Sequence, residues 1–429
     1  MSLRVITGGA GTGKTTRLLA LMDEWIENKG LQENQRVLAL TFMHGSRMRL
    51  SQRLQVSRAR GRFECITFDG FAHQLCRRWR THLAAAGVSL LPDSDENHYE
   101  ATCDAAAALL QNPLVVRWVV ATYPLVLVDE FQDCYGARPR FLQLLAGLAD
   151  VVAAADPFQD LKETGVNPAV AMFTAAGAYG EELSQVHRTR VPALLAGATA
   201  LREARRVEPG PGLTIEAVPS HHVAAAKVCA VIAKLGKVSA AVISAGRPTP
   251  NSFSLKVIDA AAATKGYGAK KSLGPYTVPW ESSADVHRDG LLASLNVDED
   301  QRLSAAALTA LLPASNPLSR VLLEWLAREQ RLRGRSEFLS SELRSQVARA
   351  EAAYRALPRR ERGLRALTIH QAKNREFHRV VVLWGFGIPS SVEMQRRWLY
   401  NAITRARESA VVLVHDPQKK RICEPPFTM

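Results

Sequence analysis

The segment Gly8-Gly9-Ala10-Gly11-Thr12-Gly13-Lys14-Thr15 fits the pattern G-x-x-x-x-G-K-[ST], and it follows a short apolar run, Leu3 to Ile6. An apolar run, a glycine-rich stretch and then a helical pattern from Thr16 to Glu27 read as strand, loop and helix. In that setting the glycines let backbone N–H groups curl around phosphate oxygens. Lys14 brings a point charge to the β- and γ-phosphates, and the Thr15 hydroxyl can ligate Mg²⁺. The following helix aims the positive end of its dipole at the same anion. A nucleoside triphosphate with Mg²⁺ is the expected ligand, with residues 8–16 as the nucleotide-binding segment and Thr16 closing it.

Such a unit commits the chain to an α/β fold, and the rest of the sequence repeats its rhythm. Apolar, β-branched runs recur at Val37–Thr41, Cys65–Phe68, Leu125–Val128, Val151–Ala155, Ala240–Ser244, Ala366–Ile369, Val380–Leu383 and Ala410–Val414, separated by longer helical stretches. Alternating strands and helices imply right-handed crossovers and parallel sheets covered on both faces. At 429 residues the chain exceeds one typical core. The runs cluster into two sheet domains, one over residues 1–180 and one assembled from 181–255 together with 360–429. Residues 256–359 read as an inserted subdomain, Gly/Lys/Pro-rich at its start and arginine-rich in its helices. Residues 81–120 read as a smaller helical insertion in the first domain.

The formal charge of +14 and a pI near 9.8 favour a polyanionic partner. The six cysteines show no C-x-x-C spacing and read as reduced thiols. No apolar run reaches the roughly 18 residues of a membrane span. The N-terminus leads straight into the first strand without space for a signal peptide, so the expectation is a soluble, cytoplasmic chain that does not engage membranes.

A second chemical feature is the run Leu125-Val126-Leu127-Val128-Asp129-Glu130, a strand ending in two carboxylates. Placed opposite a phosphate loop, Asp129 belongs on the metal side and Glu130 is set to polarise a water. The pair continues as Phe131-Gln132-Asp133. That string, VLVDEFQDC, resembles the DEXQD signature of superfamily 1 helicases of the UvrD/Rep type, and further motifs appear in that family's order. ALTFMHGSRMRL (39–50) resembles the segment bearing a Thr-Phe pair, and ITFDGFAHQL (66–75) resembles T-x-H-x-[FL] with Asp69 in place of histidine. AAADPFQDL (153–161) resembles G-D-x-x-Q, and LSQVHRTR (183–190) resembles L-x-Q-N-Y-R-S. LTIHQAKNREF (367–377) resembles T-x-H-x-x-K-G-L-E-F, and LYNAITRARES (399–409) resembles L-x-Y-V-A-x-T-R-A.

The resemblance implies two RecA-like parallel-sheet domains with ATP in the cleft between them and single-stranded DNA lying across both. It assigns catalysis to Lys14, Asp129, Glu130, Gln159, Arg188 and Arg405. Gln159 would sense the γ-phosphate, and the two arginines would act as fingers, each contributing roughly 10³–10⁵ in rate. It gives Thr15 and Asp129 to the metal and Glu376 to the nucleotide sugar or phosphates. It gives His187 the place of the base-stacking tyrosine, where a buried structural histidine is the alternative. DNA contacts fall to Thr41, Phe42, Thr67, Phe68, His370 and Lys373. For Phe42 and Phe68, ordinary packing at a strand end is an equal alternative.

Five departures accompany the likeness. The family's upstream glutamine segment, which reads adenine, has no place before Gly8, and His187 stands where the family has tyrosine. After Gln159 no aromatic appears through Thr164, and Asn374-Arg375 replaces Gly-Leu, although Asn tolerates a left-handed backbone. The insertions are also short. The leading expectation is therefore a DNA-dependent ATPase that translocates on single strands, 3′→5′ by the family's habit, with duplex unwinding as a further capacity. The competing expectation is an ATPase that senses DNA ends or a partner and regulates a companion nuclease or effector, as in repair or anti-phage defence. An RNA-directed ATPase is the weaker third. No fused nuclease is expected after the last motif, and cutting is expected to require another chain.

Overall fold

The computed structural model describes residues 3–90, 97–162, 171, 180–236, 238–246, 248–263, 274–281, 284–295, 301–356, 363–386, 388 and 391–428. Residues 264–273, the heart of the Gly/Lys-rich entry to the insertion, and Glu163-Thr164 lie outside the described residues.

β1 (Leu3–Gly8), β2 (Val37–Thr41), β3 (Phe63–Thr67), β4 (Leu125–Asp129), β5 (Asp150–Ala155) and β6 (Gly180–Leu183) form one sheet in the order β3-β2-β4-β5-β1-β6. β7 (Leu213–Val218) and β8 (Ala240–Ser244) begin a second. After an antiparallel hairpin of β9 (Arg302–Ser304) and β10 (Glu337–Leu339), that sheet is completed by β11 (Leu364–Thr368), β12 (Phe377–Trp384) and β13 (Ala406–His415), in the order β11-β8-β12-β13-β7. Every described pairing within the two sheets is parallel. The two lobes are RecA-like.

The strands form where they do because β2, β4, β5 and β8 are, apart from the terminal Asp129 and Asp150, apolar or small along their length and buried at every position. That is the pattern of a sheet packed on both faces. β6 and β7, absent from the apolar runs, are edge strands, where one side needs no full cover and residues such as Glu181, Glu182 and Glu216 are tolerated. The helix Lys14–Lys29 packs Leu18, Leu21 and Met22 against Ile6, Leu125 and Leu127.

The strand order positions the site. β4, β5 and β1 are neighbours, with Asp129 in register with Ala154 and Thr7 with Ala155. Their C-terminal ends therefore deliver Asp129-Glu130, Asp156–Gln159 and Gly8–Thr15 to one edge of the sheet, where open α/β sheets bind ligands.

Helices Ala284–Leu295, Ala305–Leu311, Pro317–Arg333 and Ser340–Ala356 build a separate core around Leu291, Leu308, Leu322, Leu326 and Phe338. The helix Phe253–Ala263 instead packs Val257 and Ala261 with Val242, Val381 and Leu383 of the second sheet. In the first lobe, helices His98–Leu109 and Pro113–Thr122 share the core of Phe68, Phe71 and Phe141. No single described helix is long and apolar enough to cross a membrane, and all six cysteines are unpaired.

Candidate nucleotide site between the lobes

The phosphate loop holds its shape through glycine. Gly11 and Gly13 have φ of 78° and 83°, the left-handed region that side chains resist. A Cβ on Gly11 would also stand 2.4 Å from the Cβ of Arg188 in the other lobe. Thr12 Oγ1 donates to Gly9 O at 2.9 Å, and Lys14 Nζ donates to Gly8 O at 3.0 Å and Gly9 O at 2.9 Å. The ammonium is thus folded back on its own loop and held by neutral carbonyls that an anion can outcompete.

Thr15 Oγ1 donates to Asp129 Oδ2 at 3.1 Å, bringing the two expected metal ligands together. Burial pushes the Asp129 carboxyl from its ordinary 3.8 to about 7, Glu130 adds to the rise, and Lys14 opposes it. A carboxylate so poorly compensated, beside a hydroxyl, fits a hard divalent cation such as Mg²⁺. That ion characteristically takes few protein oxygens and completes its shell with phosphates and water. Among the described residues no cluster of three or more His, Cys, Asp or Glu side chains is set to hold a metal. Glu130 adopts φ 60°, a conformation that costs a residue with a Cβ and that concentrates at functional positions. Gln132 Nε2 donates to Glu130 Oε2 at 2.6 Å, fixing the carboxylate.

The second lobe closes over this edge. The His187 backbone N–H donates to Gly11 O at 2.7 Å, and its Cδ2 lies 3.6 Å from where a Cβ on Gly13 would be. His187 is thus against the loop rather than in a distant core. Arg188 pairs with Glu376 at 2.8 Å and donates to Thr404 O at 3.2 Å. Arg407 reaches the other oxygen of Glu376 at 2.6 Å and 2.9 Å. Burial works against charge on Glu376, yet Arg188, Arg407 and Arg405 together hold its carboxyl below the usual range. Arg405 is 1% exposed and donates to Asn401 O at 2.9 Å. Burial lowers its guanidinium to about 10 with Arg188 adding to the drop, so it remains charged at neutral pH. Gln159 is buried, and its Oε1 has no hydrogen-bond partner among the described residues, the kind of leftover acceptor that a ligand or water satisfies.

The strand-facing candidates behave differently. Thr41 and Phe68 are buried, and Phe68 packs edge-on to Phe141 at 5.3 Å, so for these two the core wins over a DNA contact. Phe42 is half-buried and stacks on Phe68 at 5.4 Å. The Thr67 hydroxyl accepts from the Gly70 N–H at 3.1 Å as a helix cap. Lys373 is buried in an ion pair with Asp133 across the lobes. His370 is exposed and edge-on to Trp398 at 5.8 Å. Asn374 takes φ 60°, as a glycine would there, and its amide reaches Ser46 Oγ at 3.2 Å. Asp69, standing for histidine, pairs with Arg138 at 2.7 Å.

Sequence reasoning quoted the strings containing Gln132, Asp156 and Tyr400 without assigning them roles. Arg407 likewise lies in a quoted string, 399–409, without an assigned role, whereas Arg202 lies outside every string and only folding reveals it.

This edge is that of a P-loop nucleotide-binding protein whose cleft is shared by two RecA-like lobes. Residues 1–163 match a family described as an AAA domain, and residues 363–413 match the UvrD-like helicase C-terminal domain. These matches, together with the motifs read from the sequence, support a UvrD-like superfamily 1 helicase with a nucleotide-binding first domain. A search of curated proteins returns no match. Among solved structures, one on DNA unwinding at forked duplex DNA by two coordinating Pif1 helicases is similar at 12% identity over 99% of this chain and 91% of that one. Its TM-score is 0.35, too low to add to the fold described.

Proposed function

We propose that the chain is a DNA-dependent ATPase that translocates on single-stranded DNA, 3′→5′ by family resemblance, with duplex unwinding as its further capacity. The observation that carries this reading is the meeting of loop, carboxylates and arginines from two lobes at one sheet edge.

In this reading Lys14 and the loop N–H groups hold the phosphates, and Thr15 with Asp129 hold Mg²⁺, which neutralises charge on the transferring phosphoryl group. Glu130 orients and polarises the attacking water, Gln159 addresses the γ-phosphate, and Arg188 and Arg405 stabilise the charge that develops there. Glu376 exchanges its arginines for contacts with the nucleotide. Loss of the γ-phosphate removes what Arg188 and Arg405 hold on to, so turnover opens and closes the cleft. The lobes are taken as 1–180 and 181–255 with 360–429, and 256–359 as the insertion.

A second reading, regulation of a companion nuclease or effector by a DNA-end or partner sensor, is favoured by the committed strand-facing residues: Thr67 is a cap and Lys373 an ion-pair partner. Strand displacement on 3′-tailed, 5′-tailed and blunt duplexes, run beside ATP hydrolysis, separates the two. Displacement from the 3′ tail supports the motor. Turnover without displacement supports the sensor.

A further inference from the structure

The turn Pro157–Gln159 after β5 belongs to the first lobe, yet it is anchored in the second. Asp156 is fully buried and ion-pairs with Arg202 at 2.7 Å. Its other carboxylate oxygen accepts from Tyr400 Oη at 3.0 Å. Tyr400 Oη in turn accepts the backbone N–H of Ala10, in the phosphate loop, at 2.6 Å. Phe158 meets the Tyr400 ring edge-on at 5.0 Å, with the guanidiniums of Arg396 and Arg202 5.4 Å and 5.7 Å from its own ring.

The same Asp156 is tied to the chemistry on its other side. Its backbone N–H donates to Gln132 Oε1 at 3.0 Å, and Gln132 Nε2 donates to Glu130 Oε2 at 2.6 Å. Gln132 has no exposed surface, so both ends of its amide are spoken for inside the protein. Tyr400 also sits one helical turn before Thr404, whose hydroxyl donates to Tyr400 O at 2.7 Å and accepts from Arg405 at 3.0 Å. A continuous chain of hydrogen bonds therefore runs from Glu130 through Gln132 and Asp156 to Tyr400, and Tyr400 leads to the phosphate loop on one side and toward Arg405 on the other.

We infer that Tyr400 is a positioning residue: its hydroxyl, clamped between Asp156 and the Ala10 N–H, makes the orientation of Glu130 depend on the second lobe being docked. With the lobe docked, Asp156 is pinned from three directions and Gln132 holds Glu130 in its left-handed conformation. With the lobe away, Asp156 loses Tyr400 and Arg202, is uncovered on that side, and keeps only the Phe158 N–H on its carboxylate, at 3.1 Å. The Gln132–Glu130 contact is then free to loosen, and the same movement carries Arg188 and Arg405 away. Water activation and finger insertion are thereby switched together, and the chain avoids hydrolysing nucleotide in an open cleft. Buried, charge-assisted networks of this kind act as a unit, so deleting either end has the same consequence.

This inference rests on the ATPase reading above, and the test separates their failures. Tyr400→Phe keeps the ring against Phe158 and removes both hydroxyl contacts, while Gln132→Ala breaks the relay at its far end. ATP turnover and nucleotide affinity, the latter from equilibrium titration with a fluorescent ATP analogue, are measured for wild type, both single variants and the double variant. The expected result is a fall in kcat of roughly 10- to 100-fold for each single variant, as for a lost buried hydrogen bond. Analogue affinity stays within about 3-fold, and the double variant is no slower than the worse single, because one chain is cut twice. Multiplying defects, or a Tyr400→Phe variant with wild-type kcat, overturn the relay while leaving the ATPase reading intact. A wild-type chain that hydrolyses no ATP overturns both.

Discussion

The two faces of the cleft between the lobes are built on opposite plans. On the phosphate face, groups are gathered at odds with their surroundings: a buried Asp129 pushed toward neutrality, a buried Arg405, a strained Glu130 and an unpartnered amide oxygen on Gln159. On the strand face, polar groups are already satisfied. Thr67 caps a helix, Lys373 neutralises Asp133, Asn374 reaches Ser46, and Phe68 is core. The first arrangement waits for a charged ligand. The second resembles a closed interface that must give up contacts before a strand can enter. In the proposed reading the two ligands therefore meet different obstacles: a nucleotide has to draw Lys14 off neutral loop carbonyls and Arg188 off Glu376, whereas a DNA strand has to displace Lys373 from Asp133.

The largest effect expected from this contrast is on the phosphate face. Arg188→Ala or Arg405→Ala lowers kcat for ATP by roughly 10³–10⁵, and Glu130→Gln by roughly 10²–10⁴, with the fold retained by circular dichroism. An Arg188→Ala enzyme within 10-fold of wild type would break the contrast, because the second lobe would then contribute no charge to the reaction.

Next in size is a stability difference on the strand face. Phe68→Ala is expected to cost about 3–5 kcal/mol in urea unfolding, as for a buried aromatic. Phe42→Ala costs clearly less and weakens single-strand binding instead, since its ring is half-exposed. Equal destabilisation by both would return Phe42 to the core.

A smaller effect follows from Asp129. Its folded carboxyl stands at about 7 against an ordinary 3.8, so the folded chain keeps a proton that the unfolded chain has released. This contribution favours folding below about pH 4 and is lost as pH rises through about 7. Mg²⁺ needs the ionised form, so its affinity rises over the same interval. Unfolding curves from pH 5 to 8 with and without Mg²⁺ should diverge as pH increases. Asp129→Asn should remove the divergence, and parallel curves would show that Asp129 is not the ligand.

Much of the phosphate face was legible in the sequence because its chemistry is local. A glycine-rich loop, two carboxylates at a strand end and single arginines in short strings keep their spacing whatever surrounds them, and folding brought Thr15 to Asp129 and Arg188 to Glu376. All nine runs named from apolarity fall on strands, seven of them central and two, β3 and β11, at edges beside β2 and β8. β6 and β7 escaped notice because edge strands are not obliged to be apolar. The strand face was less legible because exposure decides it. Thr-Phe at the end of a strand looks the same whether the ring turns to solvent or, like Phe68, into a core of Phe71 and Phe141. The tie between Asp156, Arg202 and Tyr400 was beyond reach for a different reason. Its members lie as many as 244 residues apart, and one of them belongs to no motif.

In the proposed function, nucleotide turnover in this cleft is governed by nucleic acid lying across both lobes. The most direct measurement is steady-state ATP hydrolysis by the wild-type chain and by Arg188→Ala, each with and without saturating single-stranded DNA. The expected result is a many-fold rise in the wild-type rate on adding DNA and almost none in Arg188→Ala. A wild-type rate that DNA leaves unchanged contradicts it.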